Sequence, residues 1–121
     1  MNNCIFNCCD VILAKHILPE SSPKSLIKLA LVSESFPQNQ DDYFDGKGEP
    51  AFIRNTNLIF NSLGYNYKTY TDYLNNGIYL TTAIKCVKKD YLVSSETIKH
   101  CSNILETELD SFANIKVIML T

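Results

Sequence analysis

The stretch GIYLTTAIKC, residues 77–86, decides the fold predicted for this chain. It begins with a glycine and is rich in β-branched and aromatic residues, a pattern that indicates a buried β-strand. Two further apolar segments, residues 26–32 (LIKLALV) and 115–120 (IKVIML), are also typical of buried strands. Helical patterns separate the three segments. The order strand, helix, strand, helix, strand predicts an α/β domain with a parallel sheet and crossover helices.

Residues typical of helix ends indicate where the two helices between these strands begin and where the first one stops. Pro50 suits the first helical position and Gly64 suits the stop of the first helix. Its predicted apolar face consists of Phe52, Thr56, Ile59, Phe60 and Leu63. Ser94 or Ser95 is expected to cap the second helix, with Glu96 in its first turn. The apolar stripe predicted for that helix consists of Ile98, Cys101, Leu105, Leu109 and Phe112.

Three segments lack a strong strand or helix pattern. Residues 8–18 are compatible with a short helix, which LPESSP at 18–23 would end. Residues 33–50 are polar and contain two glycines and two prolines, so we expect a long loop of the kind that often carries function. Residues 65–76 are rich in Tyr, Asn and Thr, and the sequence assigns them no element.

Composition limits the classes of protein that fit. The chain has 121 residues with 45% hydrophobic residues, which predicts one domain over residues 1–121 with an N-terminal extension at 1–25. A net charge of −2 provides no general attraction to nucleic acid. No apolar run is long enough to span a membrane, and no basic residue precedes the N-terminal apolar run as a secretory signal requires. Five cysteines disfavour a closed disulfide framework, so we expect a cytoplasmic protein.

The carboxyl ends of the predicted strands indicate a binding edge. Ligands of parallel sheets bind beyond these ends, which here are SESFP at 33–37 and TAIKC at 82–86. Lys85 lies there with Lys88 and Lys89, and the three lysines form either a phosphate contact or a solvated turn. The final strand would leave an unpaired edge, which we expect a missing segment or a second copy of the chain to cover.

Several motifs occur in a familiar order. SES follows the first strand, GEPAF (48–52) opens a helix, a strand runs into KC (85–86), a second cysteine lies in the next helix, and KVIML follows. This order resembles the uracil-DNA glycosylase superfamily, and most of all its iron–sulfur branch, over residues 26–121. The resemblance implies a three-layer α/β/α sandwich around a short, mainly parallel sheet of order 2-1-3. It also implies that a fourth strand and a last, His-containing motif are missing after Thr121.

The resemblance also implies a chemistry. These enzymes hydrolyse the N-glycosidic bond of a damaged base, so DNA is the implied partner, and the flipped base is held by stacking and by contacts to its edge. Glu34 matches the catalytic carboxylate, Phe44 or Phe52 the stacking aromatic, and Thr82 the residue that reads the base. The other implied substrate-binding residues are Ser33, Ser35, Phe36, Pro37 and Lys85.

Departures from the family pattern leave a second interpretation open. SESFP lacks the glycines of the family's G-E-A-P-G motif. Thr82 offers a hydroxyl where the family's Asn offers an amide donor and an acceptor together. The alternative is therefore a degenerate or truncated relative without catalysis, which binds a nucleotide or a protein, or which forms a homo-oligomer through its C-terminal strand. For aromatics such as Phe44 and Phe52, packing in the core is a more frequent fate than stacking on a ligand.

The cysteines also allow two interpretations. Cys86 and Cys101 have the spacing of the last two cluster ligands in the iron–sulfur branch, and Cys4 with Cys8 or Cys9 would supply the other two thiolates. Cys101, however, lies on the apolar stripe of its helix, where a buried thiol needs no metal. We therefore expect no cofactor, with an iron–sulfur cluster as the alternative.

Overall fold

Three parallel strands form the sheet of this protein, in the order β2-β1-β3. A computed structural model describes residues 24–36, 42, 44, 50–87 and 92–121, apart from the side chains of residues 36, 86 and 87. A short 3-10 turn, Lys24–Leu26, precedes the sheet. The strands are β1 (Leu29–Phe36), β2 (Ile78–Val87) and β3 (Val117–Leu120), and the helices are α1 (Ala51–Ser62), α2 (Tyr70–Asn75) and α3 (Ser95–Asp110).

The predicted α/β class and the strand order 2-1-3 are confirmed. The arrangement of the helices as two layers on opposite faces of the sheet stays a prediction. The loop predicted from residue 33 is wrong for residues 33–36, because Ser33 pairs with Thr82 and Ser35 with Ile84 as β1 continues alongside β2. Most of the remaining loop and the helix predicted at 8–18 lie outside the described residues.

Helix α1 has the predicted ends but a different buried face. Pro50 is the residue before the helix rather than its first position, and Gly64 follows the end with a φ of +96°. The predicted face is wrong for Ile59 and Leu63, which are 62% and 69% exposed, whereas Ile53 is buried. The inward face is set by aromatic contacts with neighbouring elements. The Phe60 ring, for example, meets the Tyr73 ring of α2 edge to face at 5.4 Å between centroids.

Helix α2 occupies a segment to which the sequence assigned no element. The Asp72 carboxylate accepts hydrogen bonds from the backbone N–H groups of Lys68 at 2.8 Å and Thr69 at 2.9 Å. These bonds satisfy donors that a helix start leaves without partners inside the helix. The T-x-x-D spacing of Thr69 and Asp72 is the signal that could have predicted this helix. Tyr73 and Leu74 then bury the helix against the rest of the core.

Replacing Asp72 with alanine is expected to destabilise the protein by about 1 kcal/mol at neutral pH. The hydrogen bonds from the Thr69 and Lys68 N–H groups lower the pKa of the Asp72 carboxyl. A lowered folded-state pKa stabilises the fold above the unfolded value and ceases to do so as pH falls through the folded value. Urea unfolding at a series of pH values should therefore show the difference between variant and parent shrinking below about pH 4. A difference that stays constant down to pH 2 would contradict the role of the ionised carboxylate.

Helix α3 begins at the predicted residue, but its buried face is rotated about the helix axis from the predicted face. The Ser94 hydroxyl accepts a hydrogen bond from the Thr97 N–H at 3.1 Å, which confirms the cap. The predicted stripe is wrong at Ile98, which is 51% exposed. The buried residues of the helix are Thr97, Cys101, Ile104 and Glu108. The face is turned because Glu108, a charged residue, has its polar partners on β2.

Strand β3 forms the edge of the sheet next to β1. Its residues Val117, Ile118, Met119 and Leu120 are 48% to 80% exposed. Because successive strand residues point to opposite faces, both faces of β3 are exposed, and no strand among the described residues pairs with its outer edge. This agrees with the unpaired edge that the sequence predicts. In the described part of the chain, no helix is long and apolar enough to cross a membrane.

Candidate functional site

The carboxyl ends of β1 and β2 lie side by side, as the sequence predicts for the binding edge. Ser33 pairs with Thr82 and Ser35 with Ile84 in the parallel ladder. The next pair is Phe36 with Val87, so the register shifts and β2 bulges there. The structure therefore brings together the polar ends of the two strands, SES of β1 and TTAIK of β2. Pro37 and the side chain of Phe36 lie outside the described residues.

Strand alternation separates the predicted catalytic and base-reading residues. Ser33 and Ser35 share a face with their partners on β2, Thr82 and Ile84. Glu34 lies between the two serines and so points to the opposite face. It is exposed to solvent. The structure therefore places the carboxylate of Glu34 where a ligand and water can reach it, on the other side of the sheet from Thr82.

The Thr82 side chain is buried, and its hydroxyl proton is already in a hydrogen bond. Its side chain is 1% exposed, and its hydroxyl donates a hydrogen bond to the Ile84 carbonyl oxygen at 2.8 Å. The half-buried Ser33 hydroxyl similarly donates to the Thr81 carbonyl oxygen at 3.4 Å. A hydroxyl has one proton, so Thr82 retains acceptor capacity alone. Contact between Thr82 and a base would require the residues that cover it to move.

The predicted stacking aromatics contact each other. The ring centroids of Phe44 and Phe52 lie 4.9 Å apart, and Tyr70 lies 6.0 Å from Phe44. The Tyr70 hydroxyl donates to the Leu80 carbonyl oxygen at 3.2 Å, which ties this group of rings to β2. Phe44 is 7% exposed and belongs to the core, whereas Phe52 is half-buried. These positions favour packing for Phe44 and leave Phe52 as the more accessible of the two rings.

Lys85 does not lie in a solvated turn, so that interpretation is wrong for this lysine. The side chain is buried, and its ammonium forms an ion pair with Glu108 and donates to the Thr81 hydroxyl at 2.7 Å. Because Thr81 precedes Lys85 by four residues, the side chain runs back along β2, away from the carboxyl end. A substrate phosphate at that end would therefore not meet this ammonium. Lys88 and Lys89 lie outside the described residues.

Glu108 joins Lys85, Thr81 and Tyr79 in a group that we call the Glu108 network. The Thr81 hydroxyl donates to Oε1 of Glu108 at 2.7 Å, and the Tyr79 hydroxyl donates to the same oxygen. All four side chains are buried between β2 and α3. Burial lowers the pKa of Lys85, which the Glu108 carboxylate opposes. Burial and the same carboxylate raise the pKa of Tyr79.

Sequence reasoning missed Glu108, although β2 contains a signal for it. Tyr79, Thr81 and Lys85 place polar groups on one face of a strand that is otherwise apolar and predicted to be buried. Buried polar groups in native proteins are hydrogen-bonded, so this face needs a polar partner on the element that covers it. Glu108 is the acidic residue that α3 supplies.

The structure places Cys101 in the core. Its side chain is fully buried, and its sulfur accepts a hydrogen bond from the Lys85 N–H at 3.4 Å. Cys4, Cys8 and Cys9 lie outside the described residues, as does the side chain of Cys86. Among the residues that the structure describes, no group of three or more His, Cys, Asp or Glu is placed to hold a metal ion. The iron–sulfur cluster therefore stays an untested alternative, and the position of Cys101 fits packing.

Comparisons of this chain with protein-family models, with curated proteins and with solved structures find no match. The resemblance to uracil-DNA glycosylases therefore rests on the motifs in the sequence.

Proposed function

We propose that this protein is a uracil-DNA-glycosylase-like hydrolase that cleaves the N-glycosidic bond of a damaged base in DNA. The observation that carries the proposal is the position of Glu34. This carboxylate is exposed at the carboxyl end of the central strand of a parallel sheet, between Ser33 and Ser35. Ligands bind at this edge in open parallel sheets. A cytoplasmic location is part of the proposal.

The chemistry assigned to Glu34 follows from the reaction. Cleavage of a glycosidic bond passes through a sugar with cationic character, which a nearby carboxylate stabilises. The same carboxylate accepts a hydrogen bond from water and orients it toward the anomeric carbon. Phe52 is half-buried and is the more accessible of the two predicted aromatics, so we assign it the stacking role. Ser33 and Ser35 flank Glu34 along β1 and point to the opposite face of the sheet.

A second candidate function is binding without catalysis, by a degenerate relative of the family. The burial of Thr82 favours it, because the residue at the base-reading position has its hydroxyl proton bonded to the Ile84 carbonyl oxygen. The direction of Lys85 favours it too, since the lysine is paired inside the protein rather than presented to a phosphate. On this view the edge would hold a nucleotide or a partner protein.

Replacing Glu34 with glutamine is expected to lower the rate of base release by about 100-fold, because the amide carries no negative charge to stabilise the sugar cation. The measurement is cleavage at abasic sites after incubation with single- and double-stranded oligonucleotides that contain uracil. Glu106→Gln is the matched control, since it makes the same chemical change at an exposed position on α3.

Three outcomes of this experiment are distinct. Activity that falls in Glu34→Gln and persists in Glu106→Gln supports the hydrolase. Equal activity in both variants rejects the role of Glu34. A folded wild-type protein that binds the oligonucleotides at low salt without releasing uracil supports the non-catalytic candidate instead.

A further inference from the structure

The end of β2 depends on α3 for contacts that the sheet does not supply. The ladder between β1 and β2 is regular up to the pair Ser35 and Ile84, and it resumes with Phe36 and Val87. A bulge of this kind leaves residues without a partner in the ladder. Lys85 lies inside the interruption, and its backbone N–H donates to the sulfur of Cys101 on α3.

The side chain of Lys85 is held by the same helix. Its ammonium pairs with Glu108, and the Glu108 carboxylate also accepts hydrogen bonds from Tyr79 and Thr81. One carboxylate on α3 therefore contacts three side chains on a single face of β2, from the start of the strand to the bulge. Because every member is buried, water is a poor substitute for any of these contacts.

We infer that Glu108 is a positioning residue that holds the bulge of β2, residues 84–87, against α3. The bulge lies at the carboxyl end of β2, so Glu108 also positions this edge of the proposed base site. Cys101 contributes by accepting the backbone N–H of Lys85, and Lys85 is an internal counter-ion. The consequence for base binding rests on the proposed function. The positioning of the bulge rests on the contacts alone and can be tested without any ligand.

The test is amide hydrogen exchange, followed by NMR, on the full chain. Glu108→Leu alone removes the partner of a buried ammonium, so the double variant Lys85→Met/Glu108→Leu is the variant to use. It replaces the pair with apolar side chains and retains the packed interface. We expect the amides of residues 84–87 to exchange about tenfold faster in the double variant, while the amides of residues 29–32 in β1 keep their rates.

Ile104→Val is the control, because it trims a buried α3 side chain outside the network. A general loosening of α3 would accelerate exchange in residues 84–87 in this control as well. The inference is overturned if the double variant exchanges at the wild-type rate in residues 84–87. It is also overturned if residues 29–32 accelerate to the same degree, since the effect would then be global.

A separate measurement keeps this inference distinct from the proposed function. Binding of a uracil-containing single-stranded oligonucleotide is expected to weaken about tenfold in the double variant and to remain unchanged in Ile104→Val. Absence of binding by the folded wild-type protein would reject the base site and leave the exchange result to decide the role of Glu108. If residues 84–87 exchange faster in the double variant but the oligonucleotide binds as tightly as to wild type, the bulge does not position the base site.

Discussion

Replacing Glu108 with leucine is expected to destabilise the protein by about 3–5 kcal/mol. The change leaves the ammonium of Lys85 buried without its counter-ion, and it leaves the hydroxyls of Tyr79 and Thr81 without their shared acceptor. An uncompensated buried charge costs much more than the pair contributes, because desolvation is no longer offset by attraction. Urea unfolding of the variant and the wild type gives the difference directly.

The double variant Lys85→Met/Glu108→Leu is expected to be more stable than Glu108→Leu, because apolar residues of similar volume replace a buried ion pair at little cost. It stays less stable than wild type, because the hydroxyls of Tyr79 and Thr81 still lack their acceptor. The cycle of the two single variants and the double variant then measures the coupling between the two side chains. A double variant as unstable as Glu108→Leu would mean that lost packing or the lost acceptor for Tyr79 and Thr81, rather than the unpaired charge, causes the loss of stability.

The pH dependence of Glu108→Leu provides an independent check on that cause. Burial lowers the pKa of Lys85, and the Glu108 carboxylate opposes the shift, so its removal lowers the pKa further. A lysine with a lowered folded-state pKa binds fewer protons in the folded state than in the unfolded state over the interval between the two values. Stability therefore rises with pH across that interval. The loss of stability in Glu108→Leu relative to wild type should therefore shrink as pH rises toward 10.0, the ordinary pKa of tyrosine. Above that pH, the raised pKa of Tyr79 also makes stability depend on pH.

Replacing Gly77 with alanine is expected to destabilise the protein by about 3 kcal/mol. Gly77 has a φ of +81°, and a Cβ at this position would lie 2.7 Å from the Leu26 carbonyl oxygen. The Gly77 carbonyl oxygen also accepts hydrogen bonds from the N–H groups of Lys28 at 2.8 Å and Leu29 at 3.2 Å. Relief of the clash must therefore displace the backbone that joins the starts of β1 and β2.

Gly64→Ala is the matched control for this substitution. Gly64 has a comparable φ of +96°, and an added Cβ would meet nothing within 4 Å. Unfolding of both variants in urea separates the backbone conformation, which they share, from the contact with Leu26, which only Gly77→Ala makes. Equal losses of stability in the two variants would show that the contact with Leu26 contributes nothing.

Local patterns in the sequence predict most of the elements. The apolar segments that became β1, β2 and β3 were predicted from their nearly continuous apolar character and their length, and the α/β class from their order with the helices. The ends of α1 at Gly64 and of α3 at Ser94 follow from capping chemistry. Helix α2 was missed although its T-x-x-D signal is present, because a six-residue helix lacks the periodicity that would reveal it.

The candidate site could be predicted only in part. The sequence placed SES and TAIKC at one edge, and the ladder pairs Ser33 with Thr82. The pairing register also decides which face of the sheet each side chain occupies. It places Glu34 and Thr82 on opposite faces, which the motifs did not reveal. The environment of Thr82 likewise depends on what covers it, so a strand pattern gives no indication that its side chain is 1% exposed.

The sequence by itself determined which segments become strands and helices and where several of them end, because those features depend on residues within a few positions of one another. Only the tertiary structure decided the buried face of α3, the inward course of Lys85 and the role of Glu108. The bonds that fix them join residues 23 to 29 positions apart. A charged residue on a helix is ordinarily solvated, and Glu108 is buried because the fold brings the polar face of β2 against it.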